Sequence, residues 1–183
     1  MVAIAALGAL CLAVVVERAW MLWRWRVDEA ALLAELRSGA LDAALARAAA
    51  HPAGRLLSAG ATAASDDAAW DAISAEATLV EQGVRARVGY LAAAGNLSTM
   101  LGLLGTVYGL ILAFSGLADT ASTERAALLS DGIAAAMNTT AFGLLVGIPA
   151  LGAHAVLEAA CGKVLSTAEA AAALLMAARR GRG

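Results

Sequence analysis

Charged side chains are spread very unevenly along this chain, and the apolar runs between them define its elements. From Val88 to Ala118, and again from Gly132 to Leu157, there is no Asp, Glu, Lys or Arg. A charge at mid-bilayer costs several kcal/mol and a helical span needs about 20 residues, so each run predicts a transmembrane helix. A third uncharged run, Met1 to Val16, continues through Glu17-Arg18 into Trp20-Met21-Leu22-Trp23. It lacks the basic start and small-residue cleavage site of a signal peptide, which predicts a retained span over roughly Val2 to Leu22. Trp20, Trp23 and Trp25 then sit in the headgroup layer. Glu17 and Arg18 fall at the lipid boundary, with the arginine snorkelling towards water.

The polar stretch from Asp28 to Arg87 has helical rather than alternating periodicity: Leu32, Leu33 and Leu36, then Leu41 and Leu45, later Ile73, Leu79, Val80 and Val84. Asp42 opens a second short helix, and Pro52, within His51-Pro52-Ala53-Gly54, marks a helix boundary. Ser65-Asp66-Asp67 caps a long helix running through Trp70 and Val84 towards the second span. After Leu157 the composition stays helical to Met176 and ends in Arg179-Arg180-Gly181-Arg182-Gly183. That basic end suits either the helix dipole or a contact with anionic membrane lipid.

The predicted architecture is therefore all-α and integral to a membrane. It comprises a first transmembrane helix over 1–23, a helical segment over 24–87, a second transmembrane helix over 88–118, a loop over 119–131, a third transmembrane helix over 132–157 and a terminal helix over 158–183. Twelve of the thirteen basic residues fall on one side of these spans, Arg125 alone lying on the other. The positive-inside rule makes the richer side cytoplasmic and puts the amino terminus outside, so long helices extend into the cytoplasm.

Composition narrows the function classes. Hydrophobic residues make up 61% and charged ones 15%, against about 45–50% and about 25% in soluble chains, which excludes disorder. A net charge of −2 and two cysteines argue against nucleic-acid binding by bulk charge and against a disulfide scaffold.

Polar and tiny residues recur at helical spacing inside the spans. Thr99, Gly102, Thr106, Gly109 and Ala113 share one face of the second; Ala136, Thr140, Gly143 and Gly147 share one face of the third, with Asn138 and Thr139 adjacent. Gly105 and Gly109, like Gly143 and Gly147, have the spacing at which helix backbones approach closely. Two readings stand side by side. The residues pack helix on helix, each threonine hydroxyl bonding its own backbone a turn earlier, or they line a passage where hydroxyls stabilise an ion or a partner's ionisable group. Neither span contains a carboxylate, and threonine does not titrate, so a titrating acid has to come from another polypeptide.

The strings themselves resemble a known family. Asn96-Leu97-Ser98-Thr99-Met100-Leu101-Gly102-Leu103-Leu104-Gly105-Thr106-Val107-Tyr108-Gly109-Leu110 resembles the second-span signature of the MotA/TolQ/ExbB proton-channel family. Residues 131–150, with Asn138-Thr139-Thr140-Ala141-Phe142-Gly143-Leu144-Leu145-Val146-Gly147-Ile148-Pro149-Ala150, resemble its third-span signature. The resemblance implies a ring, a pentamer of three-span subunits in the bacterial inner membrane. Within it a single-span partner similar to ExbD or TolR supplies an aspartate that faces Thr106 and Thr140. Thr99 and Thr139 join that pathway, and Gly102, Gly105, Gly109, Gly143, Gly147 and Pro149 serve helix packing. The implied activity is conversion of ion motive force into mechanical work on the cell envelope. Three spans and a large cytoplasmic segment are similar to the TolQ/ExbB branch. Two departures stand out: Ala135 occupies a position where many members carry a glutamate, and Ser98-Thr99 replaces the usual small residue and proline.

Other chemistry is thin. His154 is single in its span, Cys11 and Cys161 lack zinc-ligand spacing, and neither a nucleophile elbow nor a phosphate-cradling loop is present. The sequence therefore predicts a protein that is not an enzyme and uses no cofactor or metal. The alternative to a motor subunit is a non-conducting membrane scaffold of the same fold, which the alanine at position 135 favours.

Overall fold

A computed structural model of the chain describes residues 2–116 and 125–181. These form helices α1 (Val2–Arg24), α2 (Glu29–Arg37), α3 (Leu41–Arg47), α4 (Pro52–Thr62), α5 (Asp66–Arg85), α6 (Val88–Gly116) and α7 (Arg125–Arg180). Three stretches, Val2–Arg37, Asp66–Gly116 and Arg125–Arg180, contain windows long and apolar enough to cross a membrane. Of the expected loop over 119–131, residues 119–124 lie outside the described residues, and from Arg125 onward the chain is already helical. Met1, Arg182 and Gly183 also lie outside them. The third span and the terminal helix run together in α7, with Pro149 inside it.

The chain divides into two compact units. The first, Met1–Val16 with Arg87–Ala155, holds the start of α1, all of α6 and the membrane-length part of α7. Ile4, Cys11 and Val14 are the buried face of α1 here, and a Cβ on Gly8 would lie 3.2 Å from Val146 Cγ2. Gly95 meets Gly147 and Ala150, Gly102 meets Gly143, Gly109 meets Ala136, and Gly132 meets Ala113. The order of these meetings makes α6 and α7 antiparallel. Away from that seam, Met100, Leu103, Leu104, Val107 and Ile111 are exposed, as suits a face turned to lipid or to another chain.

The second unit, Glu17–Ala86 with Val156–Gly183, is built differently. Leu32, Leu36, Leu56, Leu57, Ile73, Val80 and Val84 form its core with Leu157, Leu165, Leu175 and Met176 of α7. Helices α2, α4 and α5 start on side-chain caps that satisfy otherwise orphaned amides, whereas α3 has none. Asp28 Oδ1 accepts from the Ala31 amide, His51 Nδ1 from Ala53 and Ser65 Oγ from Ala68. Pro52 occupies the first turn of α4, where its missing N–H costs nothing. At the far end, Arg179 donates to the Gly60 and Ala63 carbonyls and pairs with Asp66 at 3.0 Å, tying α7 to the α4–α5 turn. Arg47 grips Glu35 with paired bonds of 2.9 and 2.5 Å and holds that carboxyl below the usual carboxylate range.

One feature differs from the sequence reading, and a second sharpens it. Arg18 does not snorkel: it is buried, donating Nη1 to the Gly83 carbonyl at 3.2 Å while its Nε has no partner among the described residues. The helix capped by Ser65 also stops at Arg85, and Arg87 takes a left-handed conformation with φ 63° before α6 begins. The last carbonyls of a helix have no intrahelical donors. Here the Gly83 carbonyl takes Arg18 and the Val84 carbonyl takes the Cys161 thiol at 3.3 Å, so side chains stabilise the early end. Burial pushes that thiol's pKa up, with the positive charges of Arg18 and Arg85 opposing.

Candidate functional site

The seam between α6 and α7 is closest at Gly102 and Gly143. A Cβ on Gly102 would stand 3.0 Å from the Thr139 carbonyl oxygen, and one on Gly143 would stand 2.6 Å from the Ser98 carbonyl oxygen. Such separations require glycine on both sides, because backbone is what meets backbone. The sequence places these residues at three- and four-residue steps, so each helix brings its glycines to one stripe.

Close approach brings three hydroxyls together. Thr106 Oγ1 of α6 is hydrogen-bonded to Thr140 Oγ1 of α7. Thr140 Oγ1 also lies 3.1 Å from the Gly102 carbonyl, and Thr106 Oγ1 lies 3.3 Å from it and 3.2 Å from the Ala136 carbonyl. Thr139 Oγ1 reaches the same two oxygens, at 3.3 Å for Gly102 and 2.7 Å for Ala136. Each hydroxyl has one proton and two lone pairs. With Thr139 donating to Ala136, Thr140 to Gly102 and Thr106 to Thr140, every proton is used and lone pairs remain on Thr106. The half-buried cluster can therefore accept a hydrogen bond as it stands, and can donate one by releasing a backbone carbonyl, without any change of charge.

Thr99 stands apart from this trio. Its hydroxyl bonds its own Gly95 carbonyl at 3.1 Å and rests against Gly147. Back-bonding within one helix thus describes Thr99 and the shorter bond of Thr139, whereas Thr106 and Thr140 bridge two helices. Gly105 lies over the Thr139 side chain and Gly109 over Ala136, while Pro149 is exposed. Asn138 and Ala135 are exposed on α7. Two members of the seam were not read as helix-packing residues from sequence. Ser98, noted there only as a departure from the family pattern, is fully buried and bonds the Ala94 carbonyl at 2.8 Å, and Gly95 packs against Gly147 and Ala150. Continuing the Thr99–Gly102 stripe one turn back finds both. His154 Nδ1 lies 3.1 Å from the Val88 carbonyl, and among the described residues no three His, Cys, Asp or Glu side chains gather as a metal set.

Three apolar stretches of membrane-crossing length, two of them joined by a glycine-packed, hydroxyl-bridged seam, are the make-up of a multi-pass membrane protein. Residues 41–170 match the MotA/TolQ/ExbB proton channel family, and the chain belongs to it. It is 51% identical over 57 residues to the biopolymer transport protein exbB1 of Vibrio cholerae, covering 31% of this chain and 25% of that one. It is 46% identical over 63 residues to the biopolymer transport protein ExbB of Salmonella typhimurium, covering 34% and 25%. With the Tol-Pal system protein TolQ of Pseudomonas aeruginosa it shares 40% over 74 residues, covering 40% and 32%. The aligned part spans about a quarter of the length of the first two.

Proposed function

We propose that this chain is the ring subunit of an ion-driven, proton-using motor in the bacterial inner membrane, with its amino terminus periplasmic and its carboxyl terminus cytoplasmic. Five copies surround a single-span partner of the ExbD/TolR kind, and ion flow is converted into mechanical work on the envelope. The observation that carries this reading is the Thr106–Thr140 hydroxyl pair, bridging two membrane-length helices of a MotA/TolQ/ExbB family chain that has no acid of its own at that depth.

The chemistry follows from the inventory of the cluster. A partner aspartate is costly in the apolar wall while charged and far cheaper once protonated. A protonated carboxyl donates to the lone pairs on Thr106; a deprotonated one accepts the protons that Thr140 and Thr139 otherwise give to the Gly102 and Ala136 carbonyls. The same three hydroxyls serve both states, so the partner moves past them without meeting a fixed counter-charge that would trap it.

The test replaces hydroxyl by methyl at constant shape. Thr106→Val or Thr140→Val removes hydrogen bonds worth about 1–3 kcal/mol to a buried acid, so energy-dependent activity should fall on the order of tenfold or more while the ring still assembles. Activity equal to the parent chain rejects the assignment. The exposed alanine at position 135, where many family members carry a glutamate, favours a second reading, a non-conducting scaffold. On that reading the complex assembles, and neither valine variant changes ion flux because there is none.

A further inference from the structure

The second unit contains a cavity of about 1030 Å³ beside the end of the first span, and three of its lining charges, Arg26, Glu29 and Lys163, take part in none of the hydrogen bonds and ion pairs described above. Arg26 and Lys163 stand on its wall with Asp28 and Glu29. These four make no ion pair with one another. Asp28 uses one carboxylate oxygen on the α2 cap, whereas the side chains of Arg26, Glu29 and Lys163 have no hydrogen-bond partner among the described residues. Two cations and two anions share one cavity without neutralising each other. They complement a ligand that carries both signs.

The rest of the lining says what kind of ligand that is. Trp23 and Trp25, residues of the type that settles at the membrane–water boundary, line the same cavity, as do aliphatic side chains such as Leu33 and Val164. The lining combines interfacial aromatic side chains with aliphatic ones and charges of both signs, the chemistry of a phospholipid head with the first carbons of its chains.

We propose that this cavity holds a zwitterionic aminophospholipid of the phosphatidylethanolamine class, its phosphate on Arg26 and Lys163 and its primary ammonium on Glu29 and the free oxygen of Asp28. An anionic headgroup would leave the two carboxylates unanswered. A quaternary ammonium has no N–H to donate to them. The inference rests on the membrane placement of the first span, and the test separates the two.

A chain with Trp20→Phe, Trp23→Phe and Trp70→Phe keeps Trp25 as its only indole, and a second keeps only the exposed Trp20. Each is reconstituted in phosphatidylcholine bilayers containing a small fraction of brominated phosphatidylethanolamine, phosphatidylglycerol or phosphatidylcholine. Trp20 should be quenched in proportion to mole fraction by all three; no quenching there by any lipid means the span placement is wrong. Trp25 should be quenched by the ethanolamine lipid on the order of fivefold beyond its mole fraction, and by the other two only in proportion. Lys163→Glu should abolish that enrichment, and Glu29→Lys should turn it towards phosphatidylglycerol. Equal quenching of Trp25 by all three lipids, a preference of the parent chain for phosphatidylglycerol, or an unchanged preference in Lys163→Glu each overturns the proposal. If the phenylalanine variants fail to fold, native mass spectrometry of the unmodified chain with the same unbrominated lipids replaces them. The chain should then retain the ethanolamine lipid preferentially, and equal retention of all three overturns the proposal.

Discussion

One helix, α7, packs by two different rules in the two units. In the first unit its buried positions are Ala136, Gly143, Gly147 and Ala150; in the second Leu157, Leu165, Leu175 and Met176 join Cys161, Thr167, Ala168, Ala171 and Ala172. Lipid chains are as apolar as leucine, so burying leucine between membrane helices gains little; close backbone contact and interhelical hydrogen bonds hold them instead. In water each buried leucine contributes roughly 1.5–3 kcal/mol, and the second unit devotes its sequence to large side chains, caps and ion pairs. The first unit is thus held by what its side chains lack, the second by what they supply.

If that contrast is right, opposite substitutions should damage opposite units. The largest effect is expected for Leu57→Ala: the side chain is fully buried, and such a cavity costs about 2–5 kcal/mol. Amide hydrogen exchange should accelerate across α2 to α5 and leave the α6–α7 seam protected. Next comes Gly143→Ala, where one methyl meets the Ser98 carbonyl and overpacking costs about 1–3 kcal/mol, now read out as lost protection at Thr106 and Thr139 with α2 to α5 unchanged. Gly152→Ala is the control, since a Cβ there meets nothing within 4 Å; relief of glycine's backbone entropy stabilises α7 by about 0.5–1 kcal/mol. Equal damage from Gly143→Ala and Gly152→Ala would mean that close approach is not what holds the pair.

Most of this was legible in the sequence where a physical rule acts on neighbouring residues. The charge gaps located the helices long and apolar enough to cross a membrane, the Ser65 cap marked the start of α5, and the glycine–threonine steps marked the seam. What periodicity could not supply is which atom a hydroxyl chooses. Thr99 and Thr106 both have a small residue four positions earlier, yet only Thr106 faces a partner hydroxyl, because the carbonyls and side chains opposite it belong to α7. The same holds for Arg18 and for the break at Arg87. An arginine at a span's end ordinarily reaches for water; here the end of α5 offers it a carbonyl, a contact between residues 65 positions apart. Long-range acceptors leave no local signature.

The smallest expected effect sharpens the contrast from the side of the second unit, through an interaction with no counterpart in the hydroxyl seam: a titratable helix cap. His51 is buried and its Nδ1 accepts the Ala53 amide at 3.0 Å, so the cap requires a neutral ring. Burial lowers its pKa from the ordinary 6.5, against an opposing pull from Glu29. A group whose pKa is depressed in the folded state binds protons more readily when unfolded, so stability rises with pH across the interval between the two values. The second unit should therefore hold full stability above about 6.5 and lose it progressively as the pH falls below that, up to the roughly 1 kcal/mol of an N-cap. Asparagine caps a helix as well as any residue and does not titrate, so His51→Asn should keep the neutral-pH stability and flatten the acid slope in this interval. Exchange protection at Thr106, Thr139 and Thr140, whose hydroxyls meet only one another and backbone carbonyls, should show no titration over the same range in either chain. A slope that survives His51→Asn would assign the acid sensitivity to the carboxylates, with the Glu35–Arg47 pair the first to examine, because a carboxyl held below its usual range is likewise lost as pH falls through its folded value.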